Sequence, residues 1–187
     1  MQPAIVFRAS ASRGYAVATW VVAVVVLAAF VVNGGGEEVL RYGALPVLLA
    51  VLGWTAFWRP LVRVERDGVR VVNVISTTWL PWAAVTGTRT RWGLEITTHG
   101  RPVGAWALPS RSAISRWTSG RGEAPASPPP LRTIDADVPG GGDPHVAARV
   151  IEEHLTRGSA QPERQLDIVP AGVLLATAGL ALASLLL

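Results

Sequence analysis

The chain has 187 residues, of which 50% are hydrophobic, and it carries 17 basic and 13 acidic side chains but no cysteine. The lack of cysteine excludes a disulfide framework, a thiolate metal site and a cysteine nucleophile. A net charge of +4 is too small to indicate a nucleic-acid-binding protein, and the uneven spread of the hydrophobic residues predicts a membrane protein rather than a single globule.

Two uncharged apolar runs follow a polar amino-terminal segment, residues 1–14. The first run, Tyr15 to Val32, can cross a hydrocarbon core of about 30 Å. It lacks a clear small-x-small cleavage site, so we expect a retained anchor rather than a signal peptide. The second run, Tyr42 to Trp58, follows a short Gly- and Glu-containing loop. Residues 15–58 therefore predict a transmembrane helical hairpin.

Arginine is concentrated on the two outer flanks of this hairpin, at residues such as Arg8, Arg13, Arg59 and Arg63. The loop between the runs carries two glutamates, with Arg41 beyond them. Because basic residues favour the cytoplasmic side, we expect the amino terminus and everything directly after the hairpin to be cytoplasmic in a multi-pass protein of the plasma membrane.

Residues 59–108 have the pattern of an antiparallel β domain. Leu61 to Glu65 alternates apolar and charged side chains, Asp67-Gly68 supplies a tight turn, and Val69 to Ile75 runs back, which is typical of a β-hairpin. Two further alternating stretches, at 92–98 and 103–108, indicate more short strands. We predict a small curled sheet that needs a covering element over its open end.

The β block is rich in tryptophan and arginine. Large aromatic rings dominate small cores, so we expect Trp82, Trp92 and Trp106 to be structural. Solvated side chains are the favoured interpretation of the arginines here, but those of the block and of the basic segment after it could also contact anionic lipid or an acidic partner. The candidate interaction surface comprises Arg89, Arg91, Arg101, Arg111, Arg116, Trp117 and Arg121.

Residues 109–143, rich in Pro, Gly, Ser and Arg, predict a linker, in which 131–137 alternates well enough for one edge strand. Asp143-Pro144 then forms an N-cap followed by a first-turn proline. Apolar side chains fill one half of a helical wheel over residues 144–157. An amphipathic helix is therefore expected to close the sheet.

The last apolar run, residues 168–187, contains no charge and predicts a carboxy-terminal transmembrane helix. Small residues recur on one of its faces at spacings of four, three and four: Gly172, Ala176, Gly179 and Ala183. This pattern suits close helix packing against the hairpin or a second copy, although small residues are also simply frequent in membrane helices.

The order of these pieces resembles the bacterial pleckstrin-homology-like (PH-like) domain of the actinobacterial low-molecular-weight-antigen type. The matching residues are Arg59-Pro60, Asp67-Gly68-Val69, Leu80 to Val85, Arg91 to Leu94 and Ala105 to Pro109. The resemblance implies an antiparallel sheet closed by a carboxy-terminal helix after a membrane hairpin. The fold class expected is thus α+β, with that hairpin, a PH-like domain and a third transmembrane helix.

Enzyme chemistry has little support in the sequence. His99, His145 and His154 are the only histidines, and no carboxylate is placed to complete a metal site with them. No serine lies in a strand-to-helix elbow and no glycine cluster follows a buried strand. We expect a non-enzymatic protein with no cofactor and no nucleic-acid ligand.

The partners expected are the lipid bilayer and a protein partner or a second copy. Specific phosphoinositide binding is not expected, because the first inter-strand turn, Asp67-Gly68, is tight and acidic. An accessory or assembly role in a membrane enzyme or transporter complex is the alternative function.

Overall fold

The computed structural model describes residues 5–109, 143–155 and 160–186. The chain divides into two compact units. The sheet unit comprises Met1–Ser10 and Pro60–Gln165, and the helical unit comprises Ala11–Arg59 and Leu166–Leu187. The predicted linker strand at 131–137 and the interaction residues Arg111, Arg116, Trp117 and Arg121 lie outside the described residues.

The helical unit begins with α1, Ser10–Tyr42, which is broken at Gly35 by a non-helical backbone conformation (φ 62°, ψ −151°). Glycine adopts a positive φ without the steric cost that a Cβ would impose. The next helix, α2, spans Ala44–Gly53 and continues as a π-helical turn, Trp54–Trp58.

Ring contacts across the Gly35 break show that the two arms of the hairpin run antiparallel. Tyr15 packs on Phe57 with ring centroids 5.7 Å apart, and Phe30 packs on Tyr42 at 6.0 Å. Between them, the Trp20 indole donates a hydrogen bond to the Ala50 carbonyl at 3.1 Å. The predicted hairpin within 15–58 therefore forms, with its turn at Gly35.

The carboxy-terminal helix, which we label α4, spans Ile168–Leu186 and packs against α2. Its buried and half-buried side chains recur at three- and four-residue spacing: Pro170, Leu174, Thr177, Ala181 and Ser184. An ion pair joins Arg59, directly after the π-helical turn, to Asp167, directly before α4. These contacts make α4 a third arm of the helical unit.

The described residues of the sheet unit form eight strands in two sheets. A five-stranded sheet has the order β1-β2-β3-β4-β8, and a three-stranded sheet has the order β5-β6-β7. The strands are β1 Ile5–Phe7, β2 Leu61–Glu65, β3 Gly68–Val72, β4 Ser76–Pro81, β5 Val85–Arg89, β6 Gly93–Thr98, β7 Val103–Pro109 and β8 Glu163–Leu166.

The predicted hairpin is present, with Arg63 opposite Arg70 and Glu65 opposite Gly68. Its two turn residues are Arg66 and Asp67 rather than the predicted Asp67-Gly68, because Gly68 already pairs as the first residue of β3. Its close pairing with β4 leaves little room at the turn: a Cβ on Gly68 would lie 2.3 Å from the Leu80 carbonyl oxygen. A short 3₁₀ turn, Trp82–Ala84, carries the chain from β4 to β5. Buried positions alternate with more exposed ones along β2 and β4, and along β3 from Val69 onward.

One helix, which we label α3, spans Pro144–Glu152 and packs against β5 and β6. Asp143 caps it by accepting a hydrogen bond from the His145 amide at 2.8 Å, as the sequence predicts. The helix ends earlier than the predicted residue 157, because the His154 amide donates to Ile151 rather than continuing the α-helical pattern. Such three-residue bonds are common where a helix tightens at its end.

Side chains from both sheets and from α3 share one hydrophobic core. Phe7, Leu80, Leu94, Leu108 and Ile151 are among its largest fully buried members. The helix that the sequence places across a long linker thus does pack on the sheet. Phe7 belongs to the segment 1–14, which the sequence predicts to be polar and separate from the domain, yet its strand pairs in register with β2.

Candidate interaction surface

The outer face of the five-stranded sheet carries a row of aligned side chains. Val6 lies opposite Arg63, Arg63 lies opposite Arg70, and Arg70 lies opposite Trp79. Arg63 and Arg70 are exposed, whereas the residues on either side of them in β2 and β3, such as Val64 and Val71, are buried. Period-two alternation therefore puts the two guanidinium groups on the same solvent-facing side of neighbouring strands.

Arg70 already has two neighbours on this face. Its Nε lies 3.2 Å from a carboxylate oxygen of Glu65, and its guanidinium carbon lies 5.2 Å from the centre of the Trp79 ring. Arg63 has neither kind of contact among the described residues. Like charges placed directly opposite each other on a sheet are destabilising, so the Arg63–Arg70 pair is an electrostatic cost that a bound anion would offset.

A groove of about 420 Å³ opens beside this row. Its lining comes from three strands: Arg70 of β3, Thr77 and Trp79 of β4, and Glu163, Arg164 and Gln165 of β8. All four residues of β8 are exposed. Within the described part of the chain, neither Arg164 nor Glu163 forms an ion pair. We call this set of six lining residues the β8 groove.

The sequence does not predict this groove, because Arg63 and Arg70 have the pattern of a basic flank beside a membrane helix. The alternation of Leu61 to Glu65 and of Gly68 to Val72 is the signal that places both arginines on one face. Nothing comparable marks Arg164, since Glu163 to Leu166 has no alternation of apolar and polar side chains. Its strand is identified by its position in the sheet.

The structure does not bring the described candidate arginines together. Arg89 and Arg91 flank the β5–β6 turn, whereas Arg101 lies in the β6–β7 turn. These two turns are at opposite ends of β6, which is six residues long, or about 20 Å at the usual rise per residue. All three side chains are exposed, so they belong to separate parts of the surface.

Of the three tryptophans predicted to be structural, Trp82 lies in the core. It is 8% exposed, its indole donates to the Arg66 carbonyl at 2.8 Å, and its ring stacks on His154 with centroids 5.2 Å apart. Trp92 and Trp106 differ from the prediction, with 82% and 58% of their surface exposed. Trp92 occupies the β5–β6 turn, and Trp106 points outward between the buried Ala105 and Ala107 of β7.

The edges of the sheets differ in how many backbone groups they leave unpaired. In β7, Asn73 accepts from the Trp106 amide and donates to the Gly104 carbonyl, and the Ala9 amide donates to the Ala107 carbonyl. β1 and β8 are the outermost strands of the five-stranded sheet. The free edges of that sheet are therefore formed by β1 and β8, and edge strands are where strand addition occurs.

The predicted helix-packing face of α4 is exposed at all four positions, Gly172, Ala176, Gly179 and Ala183. A Cβ on Gly172 or Gly179 would meet no described atom within 4 Å. The helix instead uses its Leu174, Thr177 and Ala181 face within the chain. The small-residue face thus remains open to another helix.

In the described residues no three His, Asp or Glu side chains gather in a way that would hold a metal ion. His145 contacts the Thr90 hydroxyl at 3.1 Å, and the His154 ring contacts the Val150 carbonyl at 2.8 Å. Both rings therefore have protein contacts already.

Among the residues that the structure describes, two helices are long and apolar enough to cross a membrane, one near each end. The amino-terminal one covers Ala11–Tyr42 and has 11% of its most apolar window buried; the other covers Ile168–Leu186 and has 17% buried. Length and composition alone are weak evidence for spanning, since core helices and signal sequences share them. A core helix, however, would be mostly buried, and these two are not.

A family model described as Bacterial PH domain matches residues 59–125. No curated protein matches the chain, and no solved structure does. The match covers β2 to β7, whereas β1, α3 and β8 lie outside it and complete the same sheet unit. The chain therefore carries a PH-like domain, accompanied in sequence by apolar helices on both sides.

Proposed function

We propose that this chain is a non-enzymatic integral membrane protein whose PH-like domain is a cytoplasmic interaction module for a protein partner or the inner leaflet. The observation that carries the proposal is the connectivity: the PH-like domain is preceded by one set of apolar helices and followed by another. Both helices expose large apolar side chains, among them Val24, Val25 and Leu175. Exposed apolar surface of this kind is typical of contact with lipid or with other helices.

The cytoplasmic placement of the module rests on charge. The flanks of the hairpin carry Arg8, Arg13 and Arg59, and the turn region carries Glu37 and Glu38. Basic residues close to the ends of membrane helices favour the cytoplasmic side. With the hairpin and α4 as its spans, the proposed protein is a multi-pass protein of the plasma membrane.

Within bacterial PH-like proteins, we infer the actinobacterial low-molecular-weight-antigen type from the residues at Leu80-Pro81-Trp82 and Ala105-Trp106-Ala107-Leu108-Pro109. The structure gives these segments clear roles. Pro81 and Trp82 make the turn between β4 and β5, and 105–109 forms the greater part of β7.

A protein partner is favoured over a specific phosphoinositide. The β2–β3 turn is the two-residue Arg66-Asp67 connection between Glu65 and Gly68, which leaves no long basic loop to surround a multiply phosphorylated head group. β1 and β8 are the outermost strands of the five-stranded sheet, and adding an extended peptide to a sheet edge is a common mode of recognition.

Co-purification tests the proposal. The full chain, extracted from native membranes in mild detergent, is expected to bring down an enriched partner in stoichiometric amount, or to remain bound to inner-leaflet lipid. Purification without an enriched protein or lipid, together with monomeric behaviour, would count against it. Extraction of the chain from membranes by alkaline carbonate would contradict integral insertion.

The open face of α4 favours a second candidate function, an accessory or assembly subunit in which the helices bind a membrane enzyme or transporter. Replacing Gly172, Ala176, Gly179 and Ala183 with leucine discriminates between the two. Loss of partner binding while the PH-like domain stays folded would favour the accessory role. The matched control is Val173→Leu, at a position that is exposed but off that face.

A further inference from the structure

We propose that the β8 groove binds a peptide segment of a partner protein. A single carboxylate of that segment forms ion pairs with both Arg164 and Arg70. This inference rests on the proposed interaction module and names the chemistry of its partner. The two guanidinium groups line one groove although they come from β3 and β8. Guanidinium groups bind carboxylates through paired, charge-assisted hydrogen bonds, which are the stronger class of hydrogen bond.

A bound anion would give Arg164 an ion pair that it lacks within the described residues. Its strand is wholly exposed, and it forms no ion pair within the described part of the chain. The Nε of Arg70 contacts the Glu65 carboxylate, and the guanidinium group has several further N–H donors. Because Arg70 and Arg164 line the same groove, a carboxylate bound there would face both guanidinium groups.

The charge balance of this face selects a single carboxylate over a polyanion. Three arginines, Arg63, Arg70 and Arg164, lie in or beside the groove, together with two glutamates, Glu65 and Glu163. Among the described residues the surplus is therefore one positive charge, which matches one carboxylate. A phosphate dianion or an anionic membrane surface would bring more negative charge than this surplus balances, and the excess would be repelled by the two glutamates.

The remaining lining suits a peptide backbone. Glu163 can accept hydrogen bonds from peptide amides, while Thr77 and Gln165 add polar side chains and Trp79 adds an amphipathic ring. The volume of about 420 Å³ lies in the range of about 300–1,000 Å³ that is usual for ligand sites. A segment of a few residues with one Asp, Glu or terminal carboxylate therefore fits the groove.

The test uses the full chain in nanodiscs of neutral phosphatidylcholine and a fluorescein-labelled ten-residue peptide of valine and threonine with one central glutamate and an amidated carboxyl terminus. The control peptide is identical except that glutamine replaces the central glutamate. Fluorescence anisotropy is expected to show binding of the glutamate peptide at least about tenfold tighter than that of the glutamine peptide, since a charge-assisted contact is worth about one decade in affinity. Arg164→Gln should abolish this difference.

The control variant is Arg149→Gln, which removes the same charge from an exposed residue of α3 that does not line the groove. It is expected to keep the preference for glutamate. Because Arg164 is exposed and lacks an ion pair in the described residues, its replacement should leave the fold intact, and near-ultraviolet circular dichroism checks this. If the Arg164 variant is misfolded, Arg70→Lys, which keeps the charge but loses the planar fork, should still weaken glutamate binding.

Three outcomes overturn the inference. The first is equal binding of the two peptides. The second is loss of the preference in Arg149→Gln as complete as in Arg164→Gln. The third is displacement of the peptide by inorganic phosphate at concentrations at which acetate does not displace it, which would assign the groove to phosphate groups. Binding to phosphatidylglycerol vesicles that is lost in Arg164→Gln, without any peptide preference, would likewise assign it to lipid.

Co-purification from native membranes separates failure of this inference from failure of the proposed function. A partner retained equally by the wild-type chain and by the Arg70→Gln, Arg164→Gln double variant would show that the module works through another surface. A partner retained by the wild type and lost by the double variant supports the groove. If the wild type itself retains no protein or lipid, the proposed function fails independently of the groove.

Discussion

At the scale of single residues, the position of a side chain on its strand or turn decides its role more than its chemical type does. Trp82 and Trp92 are the same amino acid ten positions apart. Trp82 begins a 3₁₀ turn that points its ring into the core, whereas Trp92 sits in a hairpin turn with Arg91 over its ring at 5.4 Å. Amino-acid type alone could not predict that Trp82 is buried and Trp92 is exposed.

Replacing Trp82 with phenylalanine should destabilise the sheet unit by about 1–3 kcal/mol, because the Arg66 carbonyl loses its buried indole donor and the smaller ring fills less of the site. Chemical unfolding in mild detergent, followed by near-ultraviolet circular dichroism, measures the change. Trp92→Phe is the matched control and should change the free energy of unfolding by less than about 0.5 kcal/mol. Equal effects of the two variants would refute the different placement of these rings.

Gly68 gives a second prediction at this scale. An alanine Cβ there would lie 2.3 Å from the Leu80 carbonyl oxygen and 3.0 Å from Pro81 Cα, so backbone atoms of β4 would have to move. Overpacking of this kind costs about 1–3 kcal/mol. Gly104→Ala provides the control, since a Cβ at that position would meet no described atom within 4 Å. Thermal unfolding of both variants decides the matter: a Gly68→Ala variant as stable as Gly104→Ala would show that the β3–β4 pairing is looser than described.

At the scale of elements, the sheet unit draws strands from distant parts of the chain. β1 precedes the helical hairpin and β8 follows α3, yet both belong to the five-stranded sheet. Phe7 is 1% exposed, and Ala9 and Arg8 donate hydrogen bonds to the Ala107 and Pro60 carbonyls. The amino-terminal segment is thus part of the domain rather than a tail.

Truncating Phe7 to alanine should therefore destabilise the sheet unit by about 3–5 kcal/mol, the usual cost of removing a buried phenylalanine ring. The free energy of unfolding of the full chain in detergent provides the measurement. Val6→Ala, on the half-buried opposite side of the same strand, should cost less than about 1 kcal/mol. A Phe7→Ala variant with wild-type stability would show that β1 is dispensable.

The sequence predicts some of these elements well and others not at all, for physical reasons. Leu61 to Val72 alternates strictly around a two-residue turn, and Asp143-Pro144 starts an amphipathic helix with a clear cap, so local patterns are sufficient there. β1 and β8 are only three and four residues long, and their pairing depends on partners far away in sequence. Such short segments carry no periodic signal of their own.

The residues of the candidate site likewise divide into those that a local sequence pattern predicts and those that it does not. Arg63 and Arg70 can be placed on one face from alternation alone, because their register follows from the hairpin turn. Arg164 joins them through β8, which no local pattern predicts. The groove is therefore a product of tertiary structure, and only half of its cationic pair could be found in the sequence.

At the scale of the whole molecule, a PH-like domain is joined to apolar helices on both sides of it in the chain. The hairpin turns at Gly35, between runs that carry no charge over 15–32 and 42–58. If these helices span the bilayer with the charge distribution that the positive-inside rule favours, Gly36 lies outside the cell and the β6–β7 turn lies in the cytoplasm.

Cysteine accessibility tests this central claim most directly, because the natural chain contains no cysteine. Single-cysteine variants Gly36→Cys and His99→Cys occupy positions that are both exposed, and they are treated with a membrane-impermeant maleimide in intact bacterial cells. We predict that the cysteine at position 36 is labelled in intact cells and that the one at position 99 is labelled only after the membrane is permeabilised. Labelling of position 99 in intact cells would contradict the cytoplasmic placement of the PH-like domain.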